Sequence, residues 1–134
     1  IVSGSRSSHL SAFQDMMPTF CDIVGIPNPK KIDGISLMPT LLGTDQSEVH
    51  EYLYWEFPAY GGQQAIRINN WKGIKKDLFK GASKLQLYNL DNDPKEVNNL
   101  ASNYPEIVEK MERYMNEAHT EAKNEKFKIP VLDN

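Results

Sequence analysis

The segment from about Pro105 to Lys123 constrains the fold more than any other part of the chain. Pro105 suits the first position of a helix, where its missing N–H costs no hydrogen bond. Apolar side chains then recur at helical spacing, at Ile107, Met111, Tyr114, Met115 and Ala118. A helix with one apolar stripe needs a second layer to cover it. The sequence therefore predicts one long C-terminal helix packed on a sheet.

The preceding segment supplies the strands of that sheet. Aromatic and β-branched residues are concentrated in Tyr52–Phe57, Gln64–Ile68 and Trp71–Lys76, and residues 84–90 form a fourth run. Asn69-Asn70 suits a tight turn because Asn tolerates positive φ. We expect an antiparallel sheet of about four strands. Trp55, Phe57 and Trp71 are expected to fill the core between the sheet and the helix.

Two short helices are predicted in the first third of the chain. Pro18 is compatible only with a first helical turn, which makes Asp15 the expected N-cap, and Gly25 the expected end. Ser36 and Gly43 bound the second helix in the same way. The fold class is therefore α+β. The predicted domains are residues 1–45, with the short helices and loops, and 46–134, with the sheet and long helix.

Charge and composition exclude several classes of partner. The 134 residues carry 15 basic and 18 acidic side chains, intermixed, for a net charge of −3. Without a basic stripe, a nucleic-acid partner is not expected. No apolar run approaches the roughly 20 residues that span a bilayer, so no membrane span is expected. Cys21, the single cysteine, excludes an intrachain disulfide and is interpreted as a small apolar filler.

No catalytic centre or metal site is predicted within this chain. His9, His50 and His119 share no metal-binding spacing and are expected on the surface or in loops. The segment "DNDPKE" begins like a calcium loop, but Glu96 stands where that loop requires glycine. A turn capped by Asp side chains is the better interpretation.

Several stretches in order, covering about Leu10 to Glu121, resemble the C-terminal part of a type I sulfatase, within the alkaline-phosphatase superfamily. They are "DMMPTFCDIVGIP", "DGISLMPTLLG", "LYWEF" with "QAIRINNWKGI", and "LQLYNLDNDPKEVNNLA". The resemblance implies a small antiparallel sheet on one long helix. It also implies that the two short helices belong to the edge of an α/β catalytic domain, which would be this chain's partner.

The resemblance further implies cofactors that this chain does not carry. Sulfatases use a formylglycine made from Cys or Ser in a Cys/Ser-x-Pro-x-Arg motif, and a calcium ion held by Asp and Asn. Cys21 is followed by Asp22, Ile23, Val24 and Gly25, so it does not match the motif. We therefore expect a C-terminal fragment without catalytic residues, inactive by itself, whose parent hydrolyses sulfate esters and is periplasmic or secreted.

The resemblance places four residues at the rim of the parent's substrate cleft: Glu56, Tyr60, Gln63 and Arg67. Tyr60 would stack on a sugar ring, amides would bind hydroxyls, and Arg67 would pair with an anionic group of a sulfated small molecule or glycan. In the alternative interpretation, Arg67 pairs with a structural carboxylate.

Two other functions remain open from the sequence. One is a free-standing module that binds a glycan or peptide, and the other is the tail of a related phosphoester or phosphonate hydrolase. A fragment would differ from a free-standing module by an exposed apolar patch and self-association. The candidate patch residues are Met16, Met17, Phe20 and Leu41.

Overall fold

A computed structural model describes residues 1 and 3–133. The chain separates into two compact units, Ile1–Glu51 and Tyr52–Asn134. The first unit contains α1 (Met16–Val24) and α2 (Met38–Leu42). The second contains β1 (Leu53–Phe57), β2 (Gln63–Ile68), β3 (Trp71–Lys75), β4 (Gln86–Asn89) and α3 (Pro105–Ala118). The expected assignment of 1–45 and 46–134 to two domains of a parent protein stays a prediction.

Glycines end both helices of the first unit. Gly25 and Gly43 adopt left-handed φ values of 71° and 74° at the two C-caps. These values confirm both predicted stops, because glycine enters this region without a Cβ penalty. Asp15 occupies the predicted N-cap position of α1, whereas the predicted N-cap of α2, Ser36, is wrong. Leu37 is the residue at the N-cap of α2, although Ser36 Oγ accepts a hydrogen bond from the Met38 N–H at 3.2 Å.

Asp15 does not cap α1 with its side chain, because its carboxylate is used elsewhere. The side chain is fully buried, and it accepts hydrogen bonds from the Ala12 N–H at 2.8 Å and the Ile35 N–H at 3.0 Å. It also lies 2.7 Å from His50 Nε2. Asp15 therefore joins three segments that are distant in sequence, which is a tertiary role that local capping rules do not foresee.

The second unit is an antiparallel sheet in the order β1-β2-β3-β4. Glu56 is paired with Gln64, Tyr54 with Ile66, and Ile66 in turn with Gly73. Because side chains alternate along a strand, these residues share one face. We call it the helix face, since Ile66 there packs against α3. Ile68, Trp71 and Lys75 lie on the same face, and the residues of β1 to β3 that alternate with this set form the second face.

The core lies between the helix face and α3. Its buried members are Ile66, Ile68, Leu85 and Leu87 from the sheet segment, with Met111, Tyr114 and Met115 from the helix. The three helix residues belong to the stripe that the sequence shows. The α+β class and the sheet with its long helix are as predicted.

The aromatic residues of β1 do not fill this core, contrary to expectation. Trp55 and Phe57 lie on the second face and are 39% and 52% exposed. The strand register determines this, because Tyr54 and Glu56 occupy the helix face. Trp71 does pack against the core, with its ring centroid 4.9 Å from that of Tyr104.

The long helix is shorter than predicted. It ends at Ala118, and His119 is extended, with ψ 135°. The side chain of His119 contacts Glu56 in β1, so the chain leaves the helical path at the point where this tertiary contact forms.

Candidate functional site

The four predicted rim residues are divided between different surfaces of the second unit. Glu56 lies on the helix face, whereas Gln63 and Arg67 lie on the second face. Tyr60 is in the loop that joins β1 to β2. The structure therefore does not bring all four side chains to one site.

Glu56 belongs to a half-buried polar cluster. The Tyr54 hydroxyl donates a hydrogen bond to Glu56 Oε1, and the Gln64 side-chain amide donates to the Tyr54 oxygen at 2.6 Å. His119 Nδ1 also lies 2.6 Å from Glu56 Oε1. Burial raises the pKa of Tyr54 above its ordinary range, and the hydrogen bond to Glu56 raises it further.

Asp133 completes this cluster from the C-terminal segment. Its Oδ1 lies 3.6 Å from His119 Nε2, on the opposite side of the imidazole from Glu56. The carboxylate accepts hydrogen bonds from the Ala122 N–H at 2.9 Å and the Ile129 N–H at 2.6 Å. Burial opposes the charged form, but these bonds and the charge of His119 keep the pKa of Asp133 below its ordinary value.

The arrangement of these groups indicates a structural role. His119 bridges two carboxylates, and Glu56 is engaged by both Tyr54 and His119. The cluster attaches the segment after α3 to β1. Sequence reasoning missed both His119 and Asp133, since neither belongs to a motif and their partners are distant along the chain.

The loop between β1 and β2 has three consecutive residues with positive φ. The values are 52° for Tyr60, 86° for Gly61 and 78° for Gly62. The loop is held by two hydrogen bonds, from the Leu78 N–H to the Gly62 carbonyl at 3.1 Å and from the Phe79 N–H to the Gly61 carbonyl at 2.9 Å. A Cβ on Gly62 would lie 3.2 Å from Leu78 Cβ. The two hydrogen bonds fix the loop, and the Tyr60 side chain on it is 84% exposed.

The second face carries a groove with a volume of about 350 Å³. Its lining residues are Trp55, Ala65, Arg67, Lys72 and Leu90. The groove therefore combines an indole wall with two cationic side chains.

The two cations of the groove differ in their partners. Lys72 Nζ lies 2.5 Å from Glu96 Oε1, so its charge is compensated. Arg67 donates from Nε to the Asn69 carbonyl at 3.0 Å. Its terminal amino groups enter none of the hydrogen bonds or ion pairs between residues that the structure describes. The expected alternative, in which Arg67 pairs with a structural carboxylate, is not what the structure shows.

Two observations bear on the cofactors that the resemblance to sulfatases implies. Cys21 is buried in α1, and no Cys/Ser-x-Pro-x-Arg sequence is present in the chain. Within residues 1 and 3–133, no group of three His, Cys, Asp or Glu side chains is placed to hold a metal ion. None of the helices in that part of the chain is long and apolar enough to cross a membrane.

The loop that begins like a calcium site is a capped turn, as predicted. Asp93 Oδ2 accepts hydrogen bonds from the Val97 and Asn98 N–H groups, both at 2.8 Å. The bond from Asn98 is the main reason that the pKa of Asp93 is lowered. Its carboxylate is thus used by the turn itself.

The sequence of this chain is similar to parts of known proteins. Residues 1–121 match the family described as "N-sulphoglucosamine sulphohydrolase, C-terminal". The chain is 34% identical to human arylsulfatase K over 119 residues, which are 81% of this chain and 22% of that protein. It is 32% identical to an N-acetylglucosamine-6-O-sulfatase of Bacteroides thetaiotaomicron over 108 residues, 75% of this chain and 19% of that protein.

Solved structures give the same result. A structure of a 2-O GAG sulfatase superposes with a TM-score of 0.67 at 31% identity, covering 77% of this chain and 23% of the other. The chain spans about a fifth of the length of the curated relatives it matches.

Proposed function

The chain belongs to the C-terminal family of the N-sulphoglucosamine sulphohydrolases, and we propose that the protein of which it is the C-terminal part hydrolyses sulfuric esters of carbohydrates. The observation that carries this proposal is the family match across residues 1–121. The relative from Bacteroides thetaiotaomicron is named for a sulfated sugar, which supports the carbohydrate class.

In this proposal the catalytic chemistry resides outside the chain described here. Formylglycine and calcium would be supplied by the N-terminal part of the same protein, because Cys21 and the acidic residues of this chain do not fit them. We therefore propose that residues 1–134 are inactive alone. These residues pack on the catalytic domain and shape its substrate cleft.

An unpartnered apolar surface on α1 supports such packing. Met17, Phe20, Ile23 and Val24 are 56%, 55%, 52% and 65% exposed. Large contiguous apolar patches are rare on proteins that act as monomers. We propose that the catalytic domain covers this surface, and that the isolated chain self-associates through it. Of the four residues predicted for the patch, Met17 and Phe20 are exposed, whereas Met16 and Leu41 are half-buried.

Two residues of the predicted rim remain good candidates for substrate contact. Tyr60 lies on a loop that two backbone hydrogen bonds fix, and Gln63 is the first residue of β2, directly after that loop. Glu56 is a weaker candidate because Tyr54 and His119 already engage its carboxylate. For the whole protein we propose a periplasmic or secreted location, as expected from the family.

The coding sequence upstream of the Ile1 codon tests this proposal. We expect it to encode several hundred further residues with a Cys/Ser-x-Pro-x-Arg motif and acidic metal ligands. A start codon only a few residues upstream would instead favour the free-standing binding module, and the exposed surface of α1 would then need another explanation.

A further inference from the structure

The groove on the second face has the chemistry of a sugar-binding site. We propose that it binds a sulfated sugar residue, whose ring stacks on Trp55 and whose sulfate pairs with Arg67. The choice of sulfate among anionic groups rests on the proposed function. From the sequence, Arg67 is expected to pair with an anionic group and Trp55 to lie in the core, whereas the structure brings the two side chains together in one groove.

Trp55 provides the stacking surface. Its indole is 39% exposed although it lies in the middle of a paired strand, opposite Ala65. Because Ala65 has a short side chain, the neighbouring position on β2 leaves the indole uncovered. An exposed Trp beside an alanine forms an open apolar wall, which suits the apolar face of a sugar ring.

Arg67 provides the charge. It stands on the same face of β2 as Ala65, two residues further along the strand. Its Nε is held by the Asn69 carbonyl, which orients the guanidinium and leaves its terminal amino groups for a ligand. A guanidinium binds a tetrahedral oxyanion through two parallel hydrogen bonds.

Lys72 and Glu96 form the boundary of the site. Their ion pair of 2.5 Å holds Lys72 against the groove and compensates its charge. The groove thus has one uncompensated positive charge, which matches a single sulfate. The volume of about 350 Å³ is enough for one sugar residue and not for an extended chain.

The test is an NMR titration of the chain with a sulfated hexosamine disaccharide, the same disaccharide without sulfate, and an unsulfated uronate disaccharide. The indole N–H signals of Trp55 and Trp71 are assigned with Trp55→Phe. We expect the sulfated probe to shift the Trp55 indole and Arg67 Nε signals, and to leave Trp71, which packs against Tyr104, unchanged. The unsulfated probe should bind about tenfold more weakly.

Variants separate the site from general charge attraction. Arg67→Ala and Trp55→Ala should each weaken binding about tenfold, and Arg67→Lys should give an intermediate loss because it keeps the charge without the paired donors. Arg113→Ala and Phe127→Ala are matched controls. Arg113 is an exposed arginine on α3, and Phe127 is 59% exposed in the C-terminal segment. Both should leave binding unchanged.

Several results would overturn the inference. One is an equal response to the sulfated and unsulfated probes. Another is shifts confined to the loop of Lys76 and Lys80, which lines a separate cavity. Stronger binding of the uronate would refute the choice of sulfate. Sulfate release by the full-length protein from the same disaccharide is measured in parallel. Hydrolysis without a Trp55 response refutes the groove alone, whereas a Trp55 response without hydrolysis refutes the proposed function alone.

Discussion

The substitution Gly73→Ala is expected to destabilise the second unit by about 1–2 kcal/mol. Gly73 lies on the helix face, where β3 pairs with Ile66 of β2. A Cβ at this position would lie 2.8 Å from Met111 Sδ, 3.0 Å from Leu85 Cδ1 and 3.1 Å from Ile66 Cγ2. The cost is therefore one of overpacking, since Gly73 is not among the glycines with positive φ.

The magnitude follows from two opposing effects. Inserting a methyl group into a packed core costs about 1–3 kcal/mol. Replacing glycine restricts the unfolded chain and returns about 0.4–1 kcal/mol. Met111 Sδ is in a flexible side chain and can move, which keeps the cost below the upper limit. For a unit of this size, the melting temperature should fall by roughly 5–15 °C.

Urea unfolding followed by Trp71 fluorescence, in a Trp55→Phe background, measures this loss. A double-mutant cycle with Met111→Ala supplies the control. The new methyl group at position 73 should partly fill the space left by Met111, so the double variant should be more stable than the sum of the single losses by about 1 kcal/mol. Additive losses, or a Gly73→Ala variant within about 0.3 kcal/mol of the wild type, would refute the packing argument.

Three further predictions concern polar groups. Asp15→Asn should destabilise the first unit by about 2–3 kcal/mol in a thermal melt, because an amide N–H₂ replaces an acceptor of buried N–H groups. Because the folded pKa of Asp133 is lowered, its stabilisation is present above the ordinary value near 4 and is lost as the pH falls below it. The NMR amide shifts of Ala122 and Ile129 should follow that loss. Because its pKa is raised, Tyr54 stays protonated near pH 10, and Tyr54→Phe should remove no tyrosinate absorbance at that pH. The stabilisation that comes from the raised pKa is lost only as the pH rises above the ordinary value of about 10.

A specific result would contradict each of these three predictions. Asp22→Asn, an exposed carboxylate in α1, is the control for Asp15 and should be nearly neutral; equal losses would show that the buried contacts of Asp15 are unimportant. Asp133→Asn should abolish the acid transition of the two amides, so a transition that survives would assign it to another group. A loss of absorbance at pH 10 in Tyr54→Phe would contradict the raised pKa.

Local rules recovered most of the architecture. The apolar stripe that includes Met111 and Met115 correctly indicated the face of α3 that packs on the sheet. The Asn69-Asn70 turn was also foreseen, with φ 51° at Asn69. These features depend on residues that are close in sequence, where periodicity and backbone preference act directly.

Long-range pairing could not be read from the sequence. The residues of β1 do not alternate between apolar and polar, so the sequence does not determine whether Trp55 or Glu56 faces the helix. In the structure Glu56 lies on that side, where His119, 63 residues further along the chain, is one of its partners. With Glu56 on that side, strand alternation puts Trp55 on the second face, where it lines the groove with Arg67. A single sequence carries no signal for such a pair.

Sulfate release from a sulfated hexosamine disaccharide tests the central claim most directly. The full-length protein and the chain 1–134 are compared at equal concentration, with free sulfate quantified by ion chromatography. The account predicts release by the full-length protein and none above the buffer control by the chain alone. Release by the chain alone, or no release by the full-length protein with any sulfated carbohydrate tested, would contradict it.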